Sequence, residues 1–172
     1  MHIVIDGYNL IRQSVQFGDI DCHDLQAGRE ALVDALVRYK KVKPYSITVV
    51  FDGHDAPPGM PRRERLKGID LRYSKPGELA DTVIKRMADR EREQMMVVSS
   101  DREIIDFAAR KGAAVISSTE FEQRLLMARM MDIKGESEDG LCTGWQPTTK
   151  KTGPARRLPK RQRKMRKKIS KL

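Results

Sequence analysis

Short runs of β-branched and aliphatic residues alternate with segments of helical period through most of this chain, and that alternation restricts the fold more than any other feature. Residues 2–5 form an apolar run closed by Asp6-Gly7, the pattern of a buried strand. Residues 45–51 repeat it and are closed by Asp52-Gly53. Residues 95–98 and 113–116 read as further strands, with a short one expected over 69–73. Between them, Leu25, Leu32, Leu36 and Tyr39 recur at helical spacing, as do Leu79, Val83, Met87 and Ala88 in a helix expected over 78–91. A helix is expected over 101–111. The last opens near Thr119, where Glu122 completes a capping box, and runs to about Met131. Residues 54–65, rich in Pro and Gly, read as a loop. Strands separated by helices of roughly 10 to 15 residues imply crossover connections and a mostly parallel sheet in an α/β sandwich. The length of 172 residues suits one domain, here 1–134, followed by a linker and tail over 135–172.

In such folds ligands sit outside the carboxyl ends of the strands. Asp6 ends the first strand, Asp52 the second, and Asp101 follows residues 95–99. Asp81 lies in the first turns of the helix after Lys75-Pro76-Gly77, with Glu78 three residues earlier on nearly the same face. Carboxylates converging at one edge repel one another unless a cation sits among them, and hard oxygen donors suit Mg²⁺ or Mn²⁺. Such a cluster activates a metal-bound water against a phosphodiester. Asn9 is placed to orient that water or a substrate phosphate. Each residue also has a plainer role. Ser100 and Glu103 have capping-box spacing around Asp101, Asp52-Gly53 alone is most often a turn, Asp81 can pair with Lys85, and Asn9 can cap a short helix.

Charge divides the chain into two physical objects. Of its 34 basic residues 12 lie between Pro147 and Leu172, where there is no acid, which leaves 22 against all 24 acids in the body. A segment this basic, with Pro147, Pro154 and Pro159 and few apolar residues, is expected to be disordered when free. It binds polyanions by counterion release, and Arg156, Arg157, Lys160, Arg161 and Arg163 are its candidate RNA contacts. It lacks aromatic residues to stack on bases, so it is expected to grip backbone without reading sequence. RNA or the ribosome fits this better than a purely solubilising role.

Other chemistries lack their residues. Cys22 and Cys142 are far apart with no CxxC, and the three histidines have no metal-ligand spacing, which disfavours a zinc enzyme. There is no GxGxxG after a strand, no GxxxxGK[ST] and no GxSxG. An aspartyl phosphatase needs a second Asp where Tyr8 stands. No apolar run approaches the roughly 20 residues of a membrane span, and the N-terminus lacks a basic n-region, so a cytoplasmic protein is expected.

The segments Ile3-Val4-Ile5-Asp6-Gly7-Tyr8-Asn9-Leu10-Ile11, Val49-Val50-Phe51-Asp52-Gly53, Ser74-Lys75-Pro76-Gly77-Glu78-Leu79-Ala80-Asp81 and Val97-Val98-Ser99-Ser100-Asp101-Arg102 occur in that order. Together they resemble the YacP-like branch of the NYN domain family, within the PIN-like nucleases, over roughly residues 1–131. The resemblance implies a PIN-like three-layer α/β/α fold and a bacterial, metal-dependent endoribonuclease. It maps the acidic site onto Asp6, Asp81 and Asp101, with Asn9 and Asp52 as further site residues. It also implies messenger RNA on ribosomes as a substrate, to which the tail would dock. Glu78, Glu103 and Asp106 are candidates for a fourth acid. Arg62, Arg63 and Arg65, after Asp52-Gly53, and Lys75 and Arg102 are candidates to hold RNA phosphates beside the scissile bond. The rival readings are a non-catalytic RNA- or ribosome-binding protein with this fold, and cleavage of DNA by the same site.

Overall fold

The structure, a computed structural model, describes residues 1–55, 61–135 and 160–172. Six strands form one sheet among these residues: β1 (His2–Asp6), β2 (Ser46–Phe51), β3 (Arg63–Leu66), β4 (Ile69–Tyr73), β5 (Met95–Val98) and β6 (Ala114–Ile116). Their order is β3-β4-β2-β1-β5-β6, and every neighbouring pair is parallel except the β3–β4 hairpin. β5 reads Met-Met-Val-Val and all four residues are buried, as expected of a strand covered on both faces.

Side chains alternate across each strand, so one apolar run supplies both cores. Ile3, Ile5, Val49 and Met96 face α1 (Gly7–Gln13), α2 (Val15–Asp21), α3 (Leu25–Val42) and α6 (Ser118–Gly135), whose Leu32, Leu36 and Phe121 complete that core. Val4, Val50 and Val97 face α4 (Ala80–Glu91) and α5 (Arg102–Lys111), meeting Ile84, Met87, Ile104 and Ala108. The result is the expected three-layer α/β/α sandwich. Among the described residues no helix is long and apolar enough to cross a membrane.

The structure departs from the sequence expectations at several places. Residues 63–65, at the end of the expected loop, form with Leu66 the edge strand β3, with Glu64 and Leu66 half-buried and Arg63 and Arg65 exposed. Its hairpin turns at Lys67 and Gly68, with φ of 51° and 84°. A two-residue hairpin loop needs positive φ at both positions, and Lys-Gly is a weaker signal of it than Asn-Gly. Helices α1 and α2, seven residues each, are too short to show a period. α6 opens differently from the expected box. Ser117 Oγ accepts from the Glu120 N–H at 3.2 Å, and Glu122 instead takes a hydrogen bond from Ser14.

The basic tail is the larger correction. Over its described part it is a helix, α7 (Lys160–Ile169), not a disordered segment. Leu172 is buried in the core that contains Tyr39, Phe121 and Leu125, and Ile169 packs against the same core. Tyr39 Oη donates to the Leu172 carbonyl at 3.3 Å, Lys43 Nζ to that of Lys171 at 2.8 Å, and Lys164 pairs with Glu93 at 3.0 Å. Met165, Ile169 and Leu172 recur at helical spacing, a stripe that the surrounding charge conceals. The expected linker over 135–145, Cys142, Arg156 and Arg157 fall outside the described residues, apart from Gly135 at the end of α6.

Candidate active site

Because β2, β1 and β5 are adjacent and parallel, their carboxyl ends meet at one edge of the sheet. The chain builds outward from β1 on both sides, so this edge is also where the strand order reverses, the usual ligand position in open α/β sheets. Asp6 lies at the centre. One of its oxygens accepts from the Asn9 N–H at 3.3 Å and caps α1, and the other accepts from Ser99 Oγ at 3.2 Å. Burial pushes its carboxyl up to about 6 against those two hydrogen bonds, and the Asp52 and Asp101 carboxylates add to the rise. Three of the expected acids are therefore in electrostatic contact.

Asp101 caps α5, accepting from the Glu103 N–H at 2.7 Å and the Ile104 N–H at 3.4 Å. The cap is thus Asp101 itself and not a Ser100–Glu103 box. Its own N–H donates to Ser99 Oγ at 3.1 Å, so one serine hydroxyl holds both Asp6 and Asp101. Asn9 serves as a tie. Its side-chain oxygen accepts from the Ser100 N–H at 2.9 Å and from Ser118 Oγ at 2.7 Å, joining α1, the end of β5 and the start of α6. The sequence offers Ser100 only as a helix cap, and it gives Ser99 and Ser118 no role. The Ser-Ser pair beside Asp101 was the available signal for the first two, and nothing local marks Ser118.

Asp52 accepts from the Ala80 N–H at 2.7 Å and so starts α4, whose preceding residue Leu79 offers no side-chain cap. That explains why the helix begins at Ala80 and not at 78. The Gly53 N–H donates to Ser74 Oγ at 2.9 Å, tying the end of β2 to the end of β4. A Cβ on Gly53 would stand 2.1 Å from the Ser74 carbonyl oxygen, a backbone atom that cannot swing away. Gly53→Ala is accordingly expected to lower stability by about 1 to 3 kcal/mol and to displace Asp52, read as a fall in melting temperature together with activity.

Asp81 sits one residue beyond the amide that Asp52 holds. One oxygen pairs with Lys85 Nζ at 2.8 Å, the pairing foreseen as its plainer role, and the other is buried without a hydrogen-bond partner. Lys85 also bonds Glu103, and both carboxylates push its ammonium pKa up. Glu103 thus borders the site through Lys85. Glu78 turns the other way, to Arg86 and the Lys75 N–H, and Asp106 is exposed one turn beyond Glu103. Arg62, Arg63 and Lys75 line a common cleft, whereas Arg65 pairs with Asp70 at 3.7 Å outside it. Arg102 and Arg163 are exposed, and Lys160 and Arg161 open α7.

The donors suit a hard divalent cation in their chemistry. They are carboxylate oxygens, one raised in pKa by burial and by two like charges, and one carrying an orphaned buried oxygen. They are not drawn into a closed set. Among the described residues no three acidic, histidine or cysteine side chains are grouped so that they could hold a metal ion as they stand.

A profile described as YacP-like NYN domain matches residues 3–171. The chain belongs to the YacP-like NYN domain family. This is a PIN-like nuclease family, and the match runs through α7, so the basic helix lies within the family's extent and not beyond it. The uncharacterized protein YacP of Bacillus subtilis (strain 168) is 26% identical over 86 residues, half the length of each chain. Crystal structures of Rae1 (YacP) from Bacillus subtilis share the fold at 22% identity. One has a TM-score of 0.67 over 79% of this chain and 80% of that one; a mutant form has 0.65 over 82% and 86%.

The hydroxyl of Ser99 offers a test of how this YacP-like site is held. Ser99→Ala removes a hydrogen bond that lowers the Asp6 pKa, so the carboxyl is expected to rise further above 6. In a cleavage assay that needs ionised Asp6, the acid limb of the pH profile should move upward. A loss of packing alone would lower the whole profile without moving it.

Proposed function

We propose that this YacP-like NYN protein is a divalent-metal-dependent endoribonuclease that hydrolyses phosphodiester bonds in single-stranded or ribosome-engaged messenger RNA. The observation that carries the reading is Asp6. It is half-buried at the end of the central strand and in electrostatic contact with the Asp52 and Asp101 carboxylates that follow the strands on either side. A protein that only held a polyanion would gain nothing from that arrangement.

Asp6, Asp81 and Asp101 are the residues that would hold Mg²⁺ or Mn²⁺, which when bound would supply a hydroxide at neutral pH and offset charge on the phosphate. Ser99 fixes the spacing of Asp6 and Asp101, and Asn9 locks the loop between β5 and α5 to α1. Asp52 sets the start of α4 and hence the position of Asp81. Lys85 holds Asp81 from the α5 side, and Arg102, exposed beside Asp101, is placed to meet a substrate phosphate.

The deciding experiment compares wild type, Asp6→Asn and Asp81→Asn on naked RNA and on messenger RNA in a translating extract, with Mg²⁺, Mn²⁺ or EDTA. Metal-dependent cuts are expected from wild type, with a loss of about a thousandfold or more in each variant and RNA binding largely kept. Full activity in both variants would overturn the assignment. A second reading, an RNA- or ribosome-binding protein without turnover, has support in the Lys85–Asp81 pair and the open grouping of the acids. Absence of cuts in every lane, with binding intact, would establish it.

A further inference from the structure

Beside the acid cluster, on the other flank of α4, lies a second feature that the acids do not explain. A cleft of about 310 Å³ runs between α4 and the β3–β4 hairpin. Six of its lining residues are basic: Arg62, Arg63, Arg72, Lys75, Arg86 and Arg90. They come from four places in the chain, namely the start of β3, the middle of β4, the turn after β4 and one stripe of α4. Register explains the convergence. Arg63 pairs directly with Arg72 across the hairpin, and Val83, Arg86 and Arg90 are spaced three and four apart on α4.

Guanidinium groups placed side by side across a strand pair destabilise a sheet unless something negative answers them. Among the described residues that line the cleft the one acid is Glu78, and it is already engaged by Arg86 and by the Lys75 N–H; Asp70 and Glu64 lie beside Arg63 and Arg72 in the adjoining pocket, with Asp70 paired to Arg65 at 3.7 Å. Arg72 spends one N–H on Met87 Sδ at 3.5 Å, a weak acceptor for a charged donor. The cleft thus holds six cations against one carboxylate. Its remaining lining is Tyr73, Val83 and Met87, which gives it an apolar floor under the charged walls.

The cleft is also joined to the acid site. Its upper end is the turn over Lys75–Glu78, and that turn is fixed to the strand ends by the Gly53–Ser74 and Asp52–Ala80 hydrogen bonds. α4 therefore separates two flanks. Asp81 and Lys85 face α5, and Arg86 and Arg90 face the cleft. The start of α4 is thus common to the acid cluster and to the cleft.

From this geometry we infer that the arginine cleft is a backbone subsite that takes the single-stranded RNA phosphates to one side of the cleaved bond, with Arg72, Arg86 and Arg90 as positioning residues. This deepens the ribonuclease reading and rests on it for the word cleaved, but not for the binding. A flexible single strand suits the cleft better than a free phosphate, because the apolar floor lies where a sugar or base face would rest. Contacts are expected to the backbone, without sequence preference.

The test measures binding apart from turnover. Arg72→Gln/Arg90→Gln is compared with wild type and with Arg110→Gln/Arg129→Gln, which loses the same charge from exposed positions outside the cleft. Binding of a short single-stranded RNA is followed by fluorescence anisotropy over a range of KCl concentrations, with Asp6→Asn added to all three proteins so that the probe stays intact. The cleft variant is expected to bind about tenfold more weakly, with the slope of log affinity against log salt reduced by about 1.4, while the control changes little. In proteins that retain Asp6, the cleft variant should raise KM for cleavage and leave kcat nearly unchanged. Equal weakening in the cleft and control variants would overturn the subsite, as would an unchanged salt slope. If the double variant does not fold, the exposed single change Arg90→Gln is read the same way, with a slope reduction of about 0.7. Should no protein cleave RNA while the cleft variant alone loses affinity, the subsite stands and the nuclease assignment fails.

Discussion

Asp6→Asn is expected to melt about 4 to 8 °C above wild type at pH 7.5, even though it removes the residue to which the proposed cleavage is assigned. The Asp6 carboxyl titrates near 6 in the folded chain and near 3.8 as a free side chain. The folded state therefore holds this proton more tightly than the unfolded state does. Above pH 6 the native protein carries a half-buried charge that unfolding would relieve; a rise of this size is worth about 3 kcal/mol in full, and solvent screening at a partly exposed carboxylate leaves a penalty of about 2 kcal/mol. The penalty shrinks as pH falls through 6 and is gone below about 3.8, where both states are protonated. Asparagine keeps one oxygen for the Asn9 N–H, and its amide NH2, standing where the second carboxylate oxygen accepted from Ser99, donates to Ser99 Oγ instead, so the cap on α1 and the link to Ser99 survive while the charge does not. For a chain of this size, 1 kcal/mol is worth about 2 to 4 °C.

Thermal melting of both proteins at pH 7.5 and pH 4 checks this directly. The gap should be present at the first and nearly closed at the second. Adding Mn²⁺ should raise the melting temperature of wild type more than that of Asp6→Asn, because only wild type offers the charge that a cation would neutralise. A variant that melts below wild type at pH 7.5 would mean that Asp6 is chiefly a helix cap, with no electrostatic tension at the cluster. The trade of stability for a half-buried carboxylate held against two like charges is what a catalytic or metal-binding role would demand.

The acid edge could be read from sequence because strand ends are local signals. Asp6-Gly7 and Asp52-Gly53 each close an apolar run, and parallel pairing carries both acids to the same edge without further information. What the residues do there was less legible. That Asp52 starts α4 depends on a contact between positions 28 apart, and that Ser118 supports Asn9 depends on one between positions 109 apart. Neither leaves a trace in the local pattern. β3 was hidden because its edge position permits charged residues and its turn uses Lys67 where Asn would have announced it. Arg72 escaped notice because a single arginine in a short strand reads as solvent-facing. Only the register with Arg63 shows two guanidinium groups side by side.

The tail failed to be read for a different reason, since net charge argued for disorder over a segment whose order rests on three apolar residues. Leu172→Ala isolates that point, because it leaves all twelve basic residues of the tail in place. Leu172 is only 6% exposed and lies in the core with Tyr39, Phe121 and Leu125. Removing its side chain should cost about 2 to 4 kcal/mol, a fall of roughly 10 °C in melting temperature. RNA affinity measured well below that temperature should hardly move. Arg163→Gln/Lys167→Gln is expected to do the reverse, since both residues are exposed and neither appears in an ion pair among the described residues. Melting should shift by no more than about 2 °C, while affinity for single-stranded RNA falls and its salt slope drops by about 1.4. An unchanged melting temperature in Leu172→Ala would show that α7 is not docked and that the tail behaves as its charge alone predicts. The expected crossing of effects would instead separate two roles within one short helix. Its apolar stripe holds it against the body, and the basic face then presents charge from a fixed position, where a free tail would spread the same charge over a wide volume.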